Sequence, residues 1–120
     1  MTKTDIIVLT NISMITAVVQ RGAADAVVRA ASEAGSEGAT IYYGRGTGVR
    51  ERLGVLGLAV EAEKEVVIML VANDQVDQVF EKVFLAGKLD TPGMGILYVT
   101  PLEKAATHIP DLMLKKLIED

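Results

Sequence analysis

The sequence predicts an α+β domain with the element order β-α-β-β-α-β. Apolar runs rich in β-branched residues alternate with two segments whose apolar residues recur at helical spacing. Glycines close both helical segments. This order folds as an antiparallel sheet with two helices on one face, the ferredoxin-like plan. At 120 residues, the chain is expected to form a single domain, 1–120, large enough to build a core without covalent staples.

The first strand is "ITAVVQ", Ile15 to Gln20, a run suited to burial, and Gly22 ends it. From Ala23 to Ala34 the apolar residues Ala24, Val27, Val28, Ala31 and Ala34 share one helical face. Asp25, Arg29, Ser32 and Glu33 take the other, and Gly35 follows as the C-terminal glycine. "ATIYYG", Ala39 to Gly44, is the second strand, followed by a glycine-rich loop to about Glu63. "EVVIMLV", Glu65 to Val71, is a third, fully buried strand with Met69 in the core. Asn73 or Asp74 is suited to cap a second helix with the stripe Val76, Val79, Phe80, Val83 and Phe84, closed by Gly87. "GILYVT", Gly95 to Thr100, is the fourth strand. Outside this plan, "DIIVLT" is expected as an extra N-terminal strand, hairpinned onto the first through Asn11 to Ser13. "DLMLKKLIED" is expected as a short C-terminal helix.

Composition narrows the function. The chain has no cysteine, which excludes disulfides, thiolate zinc sites and a cysteine nucleophile, and fits a reducing cytosol. The apolar N-terminal stretch is interrupted by Thr10, Asn11 and Ser13 and has no basic leader. The expectation is a soluble cytoplasmic protein without direct membrane insertion. A net charge of -4 argues against nucleic-acid binding, which needs surplus Lys and Arg. With 50% hydrophobic residues, the chain has more apolar surface than one small core absorbs, so some is expected at a subunit interface.

Two loops stand out. In Gly44-Arg45-Gly46-Thr47-Gly48, alternating glycines leave backbone N–H groups able to point at an anion. Thr47 adds a hydroxyl, and Arg45, Arg50 and Arg52 add charge. The pattern lacks the Lys-Ser/Thr end of a P-loop and opens no helix, so turn-forming glycines alone also explain it. The second loop is "GKLDTPGMG", Gly87 to Gly95, which in this fold can meet the first across a subunit boundary. Asp74, Asp77 and Glu81 read as a solvated helix face, and the single His108 as a surface residue, so no metal site is expected. "LGVLGLAV", Leu53 to Val60, carries more aliphatics than a loop needs, suiting a hairpin, a subunit contact or a docking surface. Enzyme readings do poorly: no histidine stands near a serine, and no spacing pairs two carboxylates. An acylphosphatase, with Arg21 and Asn73 in the key roles, is the weakest rival, since the spacing of its phosphate loop is wrong.

With both loops in place, "GATIYYGRGTG", "VVIMLVANDQVDQVFEKV" and "GKLDTPGMGILYV", taken in this order, resemble the PII signal-transduction superfamily over about Ile15 to Pro101. The resemblance implies a regulator rather than an enzyme. It would be a homotrimer that binds an adenine nucleotide (AMP, ADP or ATP) in clefts between subunits. The loop of about residues 45–63 would then signal to a target protein, such as a membrane transporter or a metabolic enzyme. By position, Thr40, Gly46 and Gly48 would line the cleft, with Leu70 of the third strand and Val18 near the base. Gly87, Lys88, Gly93, Met94 and Gly95 of the short loop would complete it, with Arg45, Thr47 and Arg50 supplying charge and a hydroxyl.

The departures from the family pattern carry information. Ile96 stands where nitrogen-regulatory members have a phosphate-holding lysine, Val49 where they have an arginine, and Thr107 and Ile109 at two further arginines. Each missing charge-assisted contact is worth about 1.5 to 3 kcal/mol. The loop tyrosine modified in some members is absent, since Tyr42, Tyr43 and Tyr98 fall in strands. The expectation is therefore a PII-like protein outside the nitrogen-regulatory group. It would bind a nucleotide with fewer charges or recruit Arg45, Arg50, Arg52 or Lys104. The alternative is a ferredoxin-like regulatory or scaffolding module that binds another small metabolite or only protein partners.

Overall fold

A computed structural model of the chain describes residues 7–36, 38–46 and 62–107. Thr47, Gly48, Val49, Arg50, Arg52, the Leu53 to Val60 run, His108, Ile109 and the expected C-terminal helix lie outside the described residues. The elements are β1 (Ile7–Leu9), β2 (Ile12–Gln20), α1 (Ala24–Glu33), β3 (Ala39–Gly46), β4 (Ala62–Ala72), α2 (Val76–Ala86), β5 (Gly95–Leu102) and β6 (Ala105–Thr107). A single 3-10 turn, Asn73–Gln75, leads into α2. Four strands form one antiparallel sheet in the order β3-β4-β2-β5, as the β-α-β-β-α-β plan requires.

Strand alternation sorts the residues onto two faces. On one, Ile15, Ala17 and Val19 of β2 meet Val67, Met69 and Val71 of β4. Ala24, Val27 and Ala31 of α1 and Val79 and Val83 of α2 pack over them to close the core. Both helices thus cover the same face. The opposite face carries Met14, Thr16 and Val18 of β2, Val66, Ile68 and Leu70 of β4, Ile96 and Tyr98 of β5, and Tyr42 of β3. No described helix covers it, and Tyr42, Leu70, Ile96 and Tyr98 remain exposed there.

Several expectations need correction. The N-terminal strand does not fold back on β2. It pairs antiparallel with β6, an element without a clear sequence signal, as a separate two-stranded ribbon. A two-residue hairpin turn of type I′ needs two residues of positive φ, and Asn11 alone has one, at 58°. The chain therefore kinks and runs on. The offset that pairs Ile12 with Leu102 also pairs Leu9 with Ala105, so the β2/β5 ladder continues in register beyond the kink.

The second and third strands run further than their apolar runs suggest. Gly44, Arg45 and Gly46 pair with Lys64, Glu63 and Ala62, so half of the glycine run is strand. Neither Asn73 nor Asp74 caps α2 with its side chain. The Asn73 carboxamide oxygen instead accepts the Ser13 hydroxyl at 2.6 Å, and its N–H donates to the Asn11 carbonyl, tying the turn to the start of β2.

The left-handed residue that ends α2 is Lys88, with φ 56°, and not Gly87. Lys88 N–H donates to Leu85 and Leu89 N–H to Phe84, the paired bonds that close a helix on a left-handed residue. Gly87 keeps a helical φ of -80° and is buried. A Cβ there would come 3.3 Å from Val19 Cγ1, so packing holds the site small.

Candidate functional site

The end of the sheet where β2 finishes and β4 begins gathers most of the polar chemistry. Gln20 pairs with Lys64, which pairs on its other side with Gly44. At the same level on the far edge, β5 begins at Gly95, opposite Val19. The two candidate loops therefore leave the same end of the sheet from opposite edges. Two strands lie between them, a separation of about 14 Å at ordinary strand spacing. The described residues of the two loops do not form a common cleft.

The loop between α2 and β5 is held in a defined shape. Thr91 N–H donates to Lys88 and Met94 N–H to Thr91, giving two successive turns. Gln20 Nε2 donates to the Gly93 carbonyl at 3.0 Å and pins the loop to the end of β2. Gly93 has φ 84° and Gly95 φ 142°, values that L side chains rarely adopt. A Cβ on Gly95 would lie 2.0 Å from the Val18 carbonyl oxygen, so the fold itself demands glycine there. Lys88 is exposed and strained, a non-glycine residue in the left-handed region at the mouth of the loop.

The glycines of β3 differ. Gly44 and Gly46 both lie outside the left-handed region. A Cβ on Gly44 would meet nothing within 4 Å, and one on Gly46 would meet only the Lys64 stem at 3.5 Å. Neither backbone conformation nor packing among the described residues requires glycine at these positions.

The remaining predicted residues are spread out. Val18 is half-buried between Val66 and Ile96 on the helix-free face. Thr40 is paired with Ile68, and Leu70 with Met14, nearer the other end of the sheet. Thr40 is six residues from Gly46, about 20 Å along the strand. Arg45 alternates with these and lies on the helix-bearing side.

There it lines an open cavity of about 540 Å³ with Arg21, Gly22, Tyr43, Gly44, Glu63 and Glu65. Arg21 Nη1 and Glu63 Oε2 form an exposed ion pair at 2.7 Å across it. Glu65 is buried, and its carboxylate accepts the N–H groups of Gly22 and Ala24. Ala23, at the N-cap position of α1, offers no side-chain cap, so Glu65 supplies the missing acceptor. Lys64 is 6% exposed, and its stem lies beside Gly46 on the opposite face. Sequence reasoning missed Glu63, Lys64 and Glu65. The one available signal was that Lys64 continues the alternation of Val66, Ile68 and Leu70.

Arg21 and Asn73, the acylphosphatase pair, lie at opposite ends of β4, about 33 Å apart along the strand. Asp74, Asp77 and Glu81 are exposed, and no cluster of metal-ligating side chains occurs among the described residues. No helix among the described residues is long and apolar enough to cross a membrane.

The family model of "Nitrogen regulatory protein P-II" matches residues 12–110. Among solved structures, the fold is similar to that of Arabidopsis thaliana PII, crystallised bound to citrate. The TM-score is 0.60 at 21% identity, over 78% of this chain and 79% of that one. No curated protein matches the chain.

Proposed function

The chain belongs to the nitrogen regulatory protein P-II family, and from that premise we propose that it is a homotrimeric signal-transduction regulator without catalytic activity. It binds an adenine nucleotide between subunits and reports the occupancy of that site to a target protein through the loop of about residues 45–63. One observation carries this reading. Gly44–Gly46 and Gly87–Gly95 flank the same end of the sheet from opposite edges, a placement in which a neighbouring copy set against that end brings one up to the other. The glycines at 44 and 46, which packing among the described residues does not require, leave room for a ligand to approach the backbone.

The nucleotide carries few phosphates. Ile96 and Thr107 place no charge beside the short loop or on β6, and Val49 and Ile109 add none. AMP or ADP therefore suits the site better than ATP, with Lys88, Arg45, Arg50 or Lys104 providing the charge. The target is a membrane transporter or a metabolic enzyme, and the protein acts in the cytoplasm.

Calorimetric titration with AMP, ADP, ATP and cyclic nucleotides tests the proposal. Citrate belongs in the series, because the plant relative was crystallised with it. Heat from a nucleotide, lost in Gly46→Val, supports the reading. A trimeric protein that binds none of the nucleotides sinks it and leaves the metabolite or protein-binding module.

A further inference from the structure

The turn between β2 and α1 holds the stems of both candidate loops. The Ala23 N–H donates to the Gln20 carbonyl at 3.0 Å, and Gly22, third in this four-residue turn, has φ 92°. That is the glycine position of a type II turn, where a positive φ is required. Gln20 to Ala23 therefore form one closed, hydrogen-bonded unit. Its side chains and amides grip two distant segments. Gln20 Nε2 donates to the Gly93 carbonyl of the short loop at 3.0 Å. On the other side, Arg21 Nη1 donates to Glu63 Oε2 at 2.7 Å, and the Gly22 N–H donates to the Glu65 carboxylate. The hold on the short loop is firm because one peptide is fixed at both ends. The Gly93 oxygen takes the Gln20 amide, while the N–H of the same peptide unit, that of Met94, donates to Thr91. A planar peptide bonded on both sides cannot rotate without breaking one of the bonds.

We propose that this turn couples the two loops within one subunit, Gln20 acting as the positioning residue of the short loop and Arg21 as that of the long-loop stem. The proposal rests on the nucleotide-regulator reading and supplies its route through the chain. A ligand that draws the Gly93 backbone toward itself competes with Gln20 for the shape of the short loop. Because Arg21 and Gly22 belong to the same closed turn, a shift at Gln20 is felt at Glu63 and Glu65. Glu63 pairs with Arg45, so it stands where β3 leaves the sheet and β4 returns to it. The Arg21–Glu63 pair is exposed, whereas Glu65 is buried. The exposed pair is the weaker tie and yields first, which makes the stem at Glu63 the responsive end. Such a coupling is reciprocal: whatever steadies Glu63 favours the ligand-holding shape of the short loop by the same factor.

Hydrogen exchange on the full chain, as native protein, Gln20→Leu and Arg21→Ala, each with and without ADP, tests this. Circular dichroism checks that each variant is folded. The bond that Gln20→Leu removes lies on the short loop, and the pair that Arg21→Ala removes lies on β4. Without ADP, each substitution is expected to speed exchange roughly threefold in both segments, the amides of residues 88–94 and those of residues 62–65. ADP is expected to slow both segments in native protein and only residues 88–94 in the variants. Changes confined to the segment whose own contact was removed overturn the coupling. So does ADP that leaves residues 62–65 unaltered in native protein, or that slows them equally in both variants. A native protein that shows no response to ADP, AMP or ATP overturns the nucleotide reading, while exchange in the ligand-free variants still decides the coupling.

Discussion

The Glu65 carboxylate accepts the Ala24 backbone N–H at 3.1 Å, so a residue of β4 caps a helix that begins 41 positions earlier in the chain. Removing the acceptor leaves the first turn of α1 without a side-chain partner. Glu65→Ala is expected to lower stability by about 1 to 2 kcal/mol, and Glu65→Gln, which keeps an oxygen, by less. Urea denaturation reads the difference. Equal midpoints for native protein and Glu65→Ala would show that the cap contributes nothing.

The glycines of the two loops should separate cleanly by stability. Gly95→Ala drives a Cβ into the Val18 carbonyl at a φ of 142°, and is expected to cost roughly 3 kcal/mol or more. Gly46→Ala meets only the flexible Lys64 stem, and is expected to shift stability by less than about 1 kcal/mol. Thermal melts of the two variants, run side by side, decide the point. If Gly46→Ala melts as early as Gly95→Ala, packing explains both glycines and the ligand argument for position 46 fails.

Lys88 holds a left-handed conformation that costs a side-chain-bearing residue roughly 1 kcal/mol. Lys88→Gly is therefore expected to raise stability by up to about that amount while weakening nucleotide binding through loss of the ammonium group. The paired measurement is a melt and a calorimetric titration. A variant that is less stable and binds as tightly as native contradicts both halves.

The Arg21–Glu63 ion pair is short but solvent-exposed, with side-chain exposures of 74% and 60%. Solvent and salt screen such a pair. Arg21→Ala is expected to change stability by no more than about 1 kcal/mol, with the effect vanishing in high salt. It should also leave acyl phosphate turnover at the uncatalysed rate, as in native protein. A larger loss of stability, persisting in salt, would mean that the 540 Å³ cavity beside it is structurally coupled to the core.

The helices and the central strands could be read from the chain because their burial follows local periodicity. Val27 and Ala31, or Val79 and Val83, announce their face by spacing alone. The ends of β3 and β4 were hidden because Glu63 and Lys64 look like loop residues. Their place in a ladder depends on Gly44 and Arg45, and the burial of Glu65 on amides of a distant helix. Gly87 was an incomplete guide for a related reason. A left-handed cap favours glycine, yet here tertiary packing against Val19 claims the glycine and the cap passes to Lys88. For the candidate site, the glycine patterns are what single out the two loops in the sequence. That they occupy opposite edges of one sheet end is a property of strand order, which no local window contains.

The kinked ribbon of β1 and β6 has a mechanical consequence. Its two strands enter the sheet as the continuation of one ladder, with Asn11 as the bend. Tension drawing Ile7 and Thr107 apart would load the hydrogen bonds one pair at a time, like a zipper, rather than shearing a row together. The ribbon should yield at low force while β2 remains clamped between β4 and β5. A binding event that grips this ribbon could thus peel it away without disturbing the core, making it the fold's natural point of mechanical release.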